Sequence, residues 1–398
     1  MKIKRSYVKI KKLNYNEILY LISYGLYIFC AIISTSFYSK YFQGMLYKLT
    51  LGVCVGVLIV NESTKVKYSV KRLAGLLVAV FLFGVILRVS SGTSAWLSAC
   101  LILYIYCGYN IDFKIIAKFT VWWSMLIVFF VIFSAQKGLI LNYTSYDHER
   151  LREYLGFRYA LYPATYLFNA TMLIVYLLKD RLNIVVAGIL IYINYYIFDK
   201  TDSRMVFALS TLILVFLCLG KKWISNILSK KKVAFVCILS YVISAVISFG
   251  LTITYNPSID WMWQLNKFFG NRLRLGQISL EKYGINLLGK NIDWIGNGLD
   301  LQGNKTSGVY LWVDSLYIQI MQHFGIIFFC VFLLLITYAL YKMYNSEDYY
   351  LMLILTIIAI HCIIDDLSIY LYFNTFWIPI GYYLLQGIRR KLDVNSKS

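Results

Sequence analysis

Arginine and aspartate side chains beside apolar runs are the residues of this chain that could do chemistry. Arg204 ends the stretch Thr201–Arg204 at the edge of one apolar run, and Arg272 and Arg274 lie in a polar stretch before another. A guanidinium group is planar and grips a phosphate with two parallel hydrogen bonds, which an ammonium group does not. We therefore take these three arginines as candidate phosphate ligands, with Arg158 as a fourth.

Asp314 is the candidate for activating a hydroxyl group. It opens an apolar run in the stretch Val313–Tyr317, and a carboxylate within hydrogen-bond reach of a hydroxyl can take its proton. An acid in the first turn of a helix is also a favourable cap, so both roles stay open. His323 follows nine residues later, on the opposite face of a helix with 3.6 residues per turn. We therefore expect His323 to contact substrate separately and not to form a dyad with Asp314.

Other ionisable side chains have simpler structural explanations. Asp365–Asp366 could ligate a divalent ion, but no second acidic pair lies at a matching position, which favours helix termination. His148 and His361 have no partner that the sequence identifies and are interpreted as surface or packing residues.

Ion pairing with a nearby acid is the alternative role for the arginines. Arg152 can pair with Glu153, and Arg204 can pair with Asp199 or Asp202. An ionisable residue at the mouth of an apolar run is nevertheless a candidate functional residue, so Arg204 stays among the catalytic candidates with Asp314 and Arg272.

The composition makes this chain an all-α, polytopic integral membrane protein. It is 60% hydrophobic and 15% charged, with a mean hydropathy of +0.66, whereas a soluble domain carries about 25% charged residues. Apolar runs near the ~20 residues that a bilayer-spanning helix needs predict about twelve transmembrane helices in a single transmembrane domain over residues 1–398. They lie near 18–38, 44–60, 73–90, 93–109, 113–135, 159–178, 182–198, 204–219, 233–254, 315–341, 349–364 and 369–387.

The charges predict which side of the membrane each connection faces. With a cytoplasmic N-terminus, the inner segments hold 24 Lys and Arg against 7 Asp and Glu, and the outer segments hold 15 against 12. An excess of positive charge marks cytoplasmic loops, so both termini are predicted to be cytoplasmic. Seven of the outer basic residues are arginines, and all the candidate residues named above lie on or near the outer side.

Two outer connections are long, over residues 136–158 and 255–314. Long loops in compact proteins are commonly functional. Apolar and charged residues alternate between Gly270 and Gly289, which predicts one or two amphipathic helices that lie on the outer interface and cover a site. Four tryptophans of the second loop are interfacial anchors or platforms for sugar rings: Trp261, Trp263, Trp294 and Trp312.

Several classes of protein find no support in the sequence. No Walker motif, dinucleotide-binding glycine motif or zinc-protease motif occurs, and no basic domain with interleaved aromatics indicates nucleic acid. None of the eight cysteines pairs in a CxxC motif, which favours packing roles over metal binding. We predict no metal and no cofactor.

The candidate residues lie in motifs that resemble those of a known family. The stretch Gly270–Gly276, followed by Tyr283–Ile285 and Leu288–Gly289, resembles the large extracytoplasmic loop of Wzy-type O-antigen and capsule polymerases. Thr201–Arg204 is similar to their Ser-Arg step at a span mouth. Leu155–Phe157 resembles their Leu-Gly-Phe element, and Val313–Tyr317 through Phe324–Ile327 resembles the span after their large loop. The similarity runs from about residue 150 to residue 385.

The resemblance implies a metal-independent glycosyltransferase in the cytoplasmic (inner) membrane, with its active site on the extracytoplasmic side. Its substrates are a glycan donor and a glycan acceptor, each linked to undecaprenyl diphosphate and embedded in membrane lipid. The family works beside a chain-length regulator and a flippase. The resemblance implies diphosphate binding by Arg204, Arg272, Arg274 and Arg158, and activation of the acceptor hydroxyl by Asp314.

Two alternatives remain open. Related O-antigen ligases carry a His at the position of Asp314, which favours a polymerase over a ligase. A flippase or other transporter is expected to have short outer loops and two similar halves, whereas this chain has its longest loops outside and no visible repeat.

Overall fold

The computed structural model describes residues 13–64, 70–89, 94–147 and 150–385. Helices account for 73% of the structure. The α-helices are α1 Tyr15–Thr35, α2 Gly44–Ser63, α3 Val70–Val89, α4 Ser94–Gly108, α5 Phe113–Gln136, α6 Tyr162–Leu178, α7 Ile184–Thr201, α8 Arg204–Ser229, α9 Lys231–Ile238, α10 Ser240–Ile253, α11 Asp260–Phe268, α12 Arg272–Tyr283, α13 Leu316–Asn345 and α14 Tyr349–His361. A last described helix covers residues 377–385. Strands β1 (Thr144–Asp147) and β2 (Arg150–Glu153) form an antiparallel hairpin.

Six helices are long and apolar enough to cross a membrane: Tyr15–Thr35, Gly44–Ser63, Arg72–Val89, Phe113–Gln136, Ile184–Thr201 and Leu316–Asn345. The number rises to eight if α8 and the bent pair α9–α10 each count as one span. Each of the twelve predicted runs contains a helix, but several are too short or too polar for this test. The polytopic helical class is therefore confirmed, and the number of about twelve spans is not.

Local sequence signals set where several of these helices begin. The side chain of Asn14 accepts a hydrogen bond from the Glu17 amide and Glu17 bonds back to Asn14, which makes a capping box at α1. Asp112 caps α5 through the Lys114 amide. Asn183 caps α7 in the same way. Each cap satisfies a backbone donor that the first turn of a helix leaves without a partner.

The connections predicted to be outer lie together at one end of the helices. The Phe37 amide after α1 donates to the Gly156 carbonyl at 2.9 Å, and the Leu299 amide donates to the Arg158 carbonyl at 2.8 Å. The two long loops are therefore in direct contact. Lys200 at the end of α7 forms a 2.9 Å ion pair with Glu153 of the hairpin.

The connections predicted to be inner meet at the opposite end. Lys179 after α6 pairs with Asp348 before α14 at 3.1 Å, and the Tyr344 hydroxyl donates to the Ser229 carbonyl at 3.2 Å. The Thr64 hydroxyl after α2 contacts Asn16 of α1. The alternation of ends therefore agrees with the predicted order of inner and outer connections.

Four fully buried tyrosines, Tyr20, Tyr24, Tyr27 and Tyr104, bind α1 to α4; we call them the tyrosine cluster. The hydroxyl of Tyr20 donates to the Tyr104 carbonyl at 3.1 Å, and that of Tyr104 donates to the Ser23 carbonyl at 2.9 Å. Since every one of these hydroxyls has a hydrogen-bond partner, the rings can be buried without leaving a polar atom unsatisfied.

The large outer loop contains two helices, α11 and α12. Helix α12 lies in the amphipathic stretch between Gly270 and Gly289, where a helix was predicted, whereas α11 precedes that stretch. Helix α12 ends at Tyr283, because Gly284 adopts a φ of +64° that ends the helical path. The rest of the predicted amphipathic stretch, up to Gly289, is not helical. The remaining chain runs back over the first loop and is held by bridges at Ile295–Leu311 and Leu299–Lys305.

Helix α13 is broken at Gly325, which has a φ of +88°. The break frees the amides of the next residues, and the outer loop supplies their acceptors. Ile326 donates to the Asn286 carbonyl at 3.1 Å and Ile327 donates to the Leu287 carbonyl at 3.3 Å. A side chain on Gly325 or on Gly289 would overlap the opposing backbone, so both glycines permit this close approach. The break therefore fixes the outer loop to α13.

The predicted last span near 369–387 begins later than expected. Residues 370–376 form turns, and the helix begins at residue 377. This segment is buried, and its polar groups bond to neighbouring helices: the Asn169 side-chain amide of α6 donates to the Thr375 hydroxyl at 2.9 Å. Non-helical backbone is tolerated at membrane depth where protein surrounds it. The predicted span near 369–387 therefore contains a non-helical segment followed by a helix over residues 377–385.

Candidate active site

Arg272 and Asp314 form an ion pair at the end of the helices where the two long loops meet. Nε of Arg272 lies 3.2 Å from Oδ2 of Asp314, and the two side chains are only 19% and 8% exposed. Arg272 is the first residue of α12, and Asp314 lies just before α13. The structure thus brings together two of the three predicted catalytic residues from opposite ends of the large loop.

Asn266 at the end of α11 sets the orientation of Arg272. Its side-chain oxygen accepts a hydrogen bond from the Arg274 amide at 3.1 Å, and its side-chain nitrogen donates to Asn271 and to the Tyr255 hydroxyl. Asn271 adopts a φ of +67°, a conformation that Asn tolerates better than most residues. Asn266 therefore caps the first turn of α12 from outside and directs its first side chain inward.

The start of α13 is fastened on two sides, which fixes the position of Asp314. The Ser315 hydroxyl lies 2.7 Å from the Ser248 hydroxyl of α10. The Leu316 amide donates to the Cys362 carbonyl at 3.1 Å. The second bond ties α13 to the non-helical segment that follows α14, and this segment brings two further carboxylates to the site.

Asp366 is held by two donors. Its Oδ2 accepts from the Gln319 side-chain amide at 2.8 Å and from the Trp312 indole at 3.3 Å. Asp366 is 3% exposed. One tryptophan of the large loop therefore has a third role that the sequence did not suggest, which is to hold a buried carboxylate.

Asp365 is buried beside His361. Its Oδ2 lies 3.9 Å from Nε2 of His361, whereas its buried Oδ1 has no hydrogen-bond partner among the described residues. His361 itself packs on Phe168, with 5.0 Å between ring centroids. We call Asp314, Asp365 and Asp366, together with Arg272, the carboxylate cluster.

The charges of the carboxylate cluster do not balance. Burial raises the pKa of Asp366 well above its usual value, and the negative charges of Asp314 and Asp365 raise it further. Burial also raises the pKa of Asp314, although Arg272 opposes this. Burial alone would lower the pKa of Arg272, but the neighbouring acids raise it above its usual value. One guanidinium therefore faces three buried acids, and burial favours the protonated form of two of them, Asp314 and Asp366.

Two tyrosines of the outer loops line the carboxylate cluster. Burial raises the pKa of Tyr159, and Asp314 raises it further while Arg272 lowers it. Burial and Asp314 also raise the pKa of Tyr310. Both phenols therefore stay protonated at neutral pH and are available as hydrogen-bond donors and acceptors beside the ion pair.

The other outer arginines form a rim beside the carboxylate cluster. Arg152 lies 3.7 Å from Asp202 and acts electrostatically on Tyr310. Arg204 pairs with the same Asp202 at 3.0 Å and is 43% exposed. The expected pairing of Arg204 with Asp199 or Asp202 is therefore confirmed for Asp202, whereas that of Arg152 with Glu153 is wrong, because Lys200 takes Glu153. Arg204 thus lies at the rim and not at the centre.

Arg158 lies close to Tyr162, at the start of α6. It acts electrostatically on Tyr162, which Asp366 also influences. Its Nε, like that of Arg152, is buried with no hydrogen-bond partner among the described residues. A buried donor without an acceptor is costly, so both groups are suited to receive the oxygens of a ligand.

Arg274 and His323 lie apart from Arg272 and Asp314. Arg274 is on the exposed face of α12, two residues along the helix from the buried Arg272. His323 packs edge-on against Trp294, with 4.5 Å between ring centroids, close to the break in α13. His148 lies outside the described residues.

Sequence reasoning missed Asp365, Asp366 and His361 as members of the site. They were assigned to helix termination and packing, and Asp365 and Asp366 do follow the end of α14. The signal that could have found them is the presence of two adjacent acids in an otherwise apolar stretch, where ionisable residues commonly face the protein interior and have a function. No group of three or more His, Cys, Asp or Glu within the described ranges is arranged to hold a metal ion.

The described residues form a mostly helical protein with six to eight helices long and apolar enough to cross a membrane and a buried cluster of charged side chains at one end. No protein family, no curated protein and no solved structure matches the chain.

Proposed function

We propose that the protein is a polysaccharide polymerase that joins oligosaccharide repeat units carried on undecaprenyl diphosphate. The growing glycan is the donor, and a fresh lipid-linked repeat unit is the acceptor. The product is a surface polysaccharide of the O-antigen, capsule or exopolysaccharide type. The observation that carries this proposal is the buried Arg272–Asp314 pair, which lies under two long loops at one end of the apolar helices.

Arg272 suits the leaving group of this reaction. When the bond between the anomeric carbon and the diphosphate breaks, its electron pair passes to the diphosphate oxygen and negative charge accumulates there. A fixed guanidinium in a site shielded from water stabilises that charge strongly. Asn266 of α11 holds the first turn of α12 through the Arg274 amide, and Asp314 pairs with the Arg272 side chain, so little reorganisation is needed when the charge develops.

A carboxylate of the cluster suits the acceptor. As the acceptor oxygen forms its bond to the anomeric carbon, its proton must leave, and a positioned carboxylate takes it. Asp314 is the residue that the sequence suggests for this step. The reaction needs no nucleotide, because breaking the lipid diphosphate linkage supplies the free energy.

The location of the cluster suits substrates that lie in a membrane. In this proposal the carboxylate cluster faces the outer leaflet of the cytoplasmic membrane, and both termini lie in the cytoplasm. The rim arginines Arg152, Arg158 and Arg204 then lie beside Arg272, where a second lipid diphosphate would approach. A polymerase needs two such positions, one for the donor and one for the acceptor.

Deletion of the gene with analysis of the cell's glycans tests this function. We expect the deletion strain to retain single repeat units and to lose long chains, because export of the units is intact and only their joining fails. Long chains that accumulate on the lipid carrier would instead show a ligase, which transfers finished chains. Absence of outward-facing repeat units would show a flippase. Complementation with the intact gene is the control.

A further inference from the structure

The three acids of the carboxylate cluster differ in how their oxygens are occupied. Oδ2 of Asp314 pairs with Arg272, and Oδ2 of Asp366 already accepts two hydrogen bonds. Asp365 differs, because its Oδ1 is buried and meets no hydrogen-bond donor among the described residues. An unsatisfied buried carboxylate oxygen costs free energy, and such groups call for an explanation.

The neighbours of Asp365 would support a proton acceptor. His361 faces its other oxygen at 3.9 Å, and the Nδ1 of His361 lies 3.4 Å from the Ser368 hydroxyl. The charged groups that act on Asp365 from the packed elements are Arg272 of α12 and Asp314 before α13, with Asp366 beside it in the chain. Asp365 is thus close to the guanidinium without forming its direct ion pair.

We propose that Asp365 is the residue that accepts the acceptor's proton, and that Asp314 is a positioning residue that holds Arg272. This inference rests on the proposed glycosyl transfer. The acceptor oxygen bonds to the anomeric carbon, and its proton passes to the carboxylate of Asp365. Oδ1 of Asp365, which is buried without substrate, becomes accessible as the two substrates enter. The bond from that carbon to the diphosphate breaks, and its electron pair stays on the diphosphate, next to Arg272. Water later takes the proton from Asp365.

This assignment differs from the one that the sequence suggested. Asp314 looked like the base because it opens a span next to the large loop. In the structure its charge is engaged by Arg272, and protonating it would release the guanidinium that the leaving diphosphate needs. Separate carboxylates for the two tasks avoid that conflict.

The test uses membranes of the deletion strain, which carry lipid-linked repeat units, with full-length protein supplied from a plasmid. The readout is the lengthening of the lipid-linked glycan over time. We expect Asp365→Asn to lower the rate by about 10²- to 10⁴-fold, the usual contribution of a general base. Glu281→Gln, an exposed acid on α12, should keep the wild-type rate. Protein level and melting temperature are measured for each variant.

Chemical rescue separates proton transfer from a purely structural role. Asp365→Ala leaves a space beside His361 in which added formate can act as the base. We expect formate to raise the rate of this variant at least tenfold, which is part of the usual contribution of a general base. Asp366→Ala removes an acid whose Oδ2 is already hydrogen-bonded, and formate should not restore it. Equal rescue of both variants, or no rescue of Asp365→Ala, overturns the inference.

The outcomes also separate this inference from the proposed function. If wild-type protein does not lengthen the glycan, the proposed function fails. If wild-type protein lengthens it and Asp365→Asn does so at a similar rate, the function stands and the assignment of Asp365 fails. If Asp365→Ala does not fold, the isosteric Asp365→Asn variant still gives the decisive rate.

Discussion

The tyrosine cluster and the carboxylate cluster are both buried and polar, but they meet their electrostatic needs differently. The tyrosine hydroxyls are neutral and all have partners, mostly backbone carbonyls of neighbouring helices. The carboxylate cluster places three acids around one guanidinium and leaves an oxygen of Asp365 without a donor. The first arrangement needs nothing added, whereas the second is incomplete.

This difference indicates which cluster serves the fold and which serves a ligand. Buried hydroxyls with partners add a modest net stability, about 1 kcal/mol for each bond. Buried charges rarely stabilise a fold better than apolar residues would. We therefore assign a structural role to the tyrosine cluster and a chemical role to the carboxylate cluster.

The largest expected effect comes from displacing the large outer loop, which disrupts the carboxylate cluster and leaves the tyrosine cluster intact. Gly289→Ala adds a side chain that overlaps the His323 carbonyl at the break in α13. We expect the loop to lose its contact with α13 and to move Arg272 away from Asp314, which abolishes glycan lengthening. The tyrosine cluster should still hold the helices together. Lengthening assays and circular dichroism in detergent check this.

Gly138→Ala is the matched control for that variant. Gly138 also has a positive φ, +73°, but nothing lies within 4 Å of the added carbon. Its cost should be the backbone strain alone, about 1 kcal/mol. Equal loss of activity in both variants would mean that backbone strain, and not the lost contact between the loop and α13, is responsible.

The next effect is on the chemistry of the carboxylate cluster alone. Arg272→Lys keeps the charge but loses the planar fork, and we expect glycan lengthening to fall by about 10²- to 10³-fold with little change in protein level. Arg274→Lys, on the exposed face of the same helix, should keep the wild-type rate. Similar rates for both variants would show that burial does not distinguish the two arginines.

A smaller effect concerns pH. Because burial raises the pKa of Asp366 well above its usual value, the folded protein keeps a proton at pH values where the unfolded chain has already released it. Its contribution to stability is present below the usual carboxyl pKa and is lost as the pH rises through the raised value. We expect the melting temperature in detergent to be higher at pH 5.5 than at pH 7.5. For one proton, the free energy of unfolding rises by at most about 1.4 kcal/mol for each pH unit by which the pH falls.

Asp366→Asn should remove that pH dependence, since it fixes the neutral form. An unchanged slope in this variant would contradict the assignment of the proton to Asp366. The tyrosine cluster contains no carboxylate, so Tyr104→Phe should leave the pH dependence of stability as it is in the wild type.

The smallest effect is on the tyrosine cluster. Tyr104→Phe removes the donor to the Ser23 carbonyl and should lower the free energy of unfolding by about 1 kcal/mol. The rate of glycan lengthening should be unchanged. Thermal unfolding and the lengthening assay check the two parts, and a large loss of activity at normal stability would break the distinction between the clusters.

The helices and half of the candidate site were predictable from the sequence because they depend on local patterns. Apolar runs located the long helices, and the amphipathic stretch after Gly270 located α12 with Arg272 at its start. The break at Gly325 was not predictable, because its freed amides are satisfied by a loop segment distant in sequence. The role of Asp365 was not predictable for the same reason, because it depends on the positions of Arg272 and His361 around Asp365 in the folded chain.

Diphosphate binding by purified protein tests the central claim most directly. The probe is farnesyl diphosphate, a short polyprenyl diphosphate, and the readout is the melting temperature in detergent. We predict that wild-type protein and Arg274→Lys are stabilised, by about 2.7 kcal/mol at a concentration 100 times the Kd, and that Arg272→Lys is not. Equal stabilisation of all three proteins, or none of the wild type, would contradict the claim that Arg272 holds a lipid diphosphate.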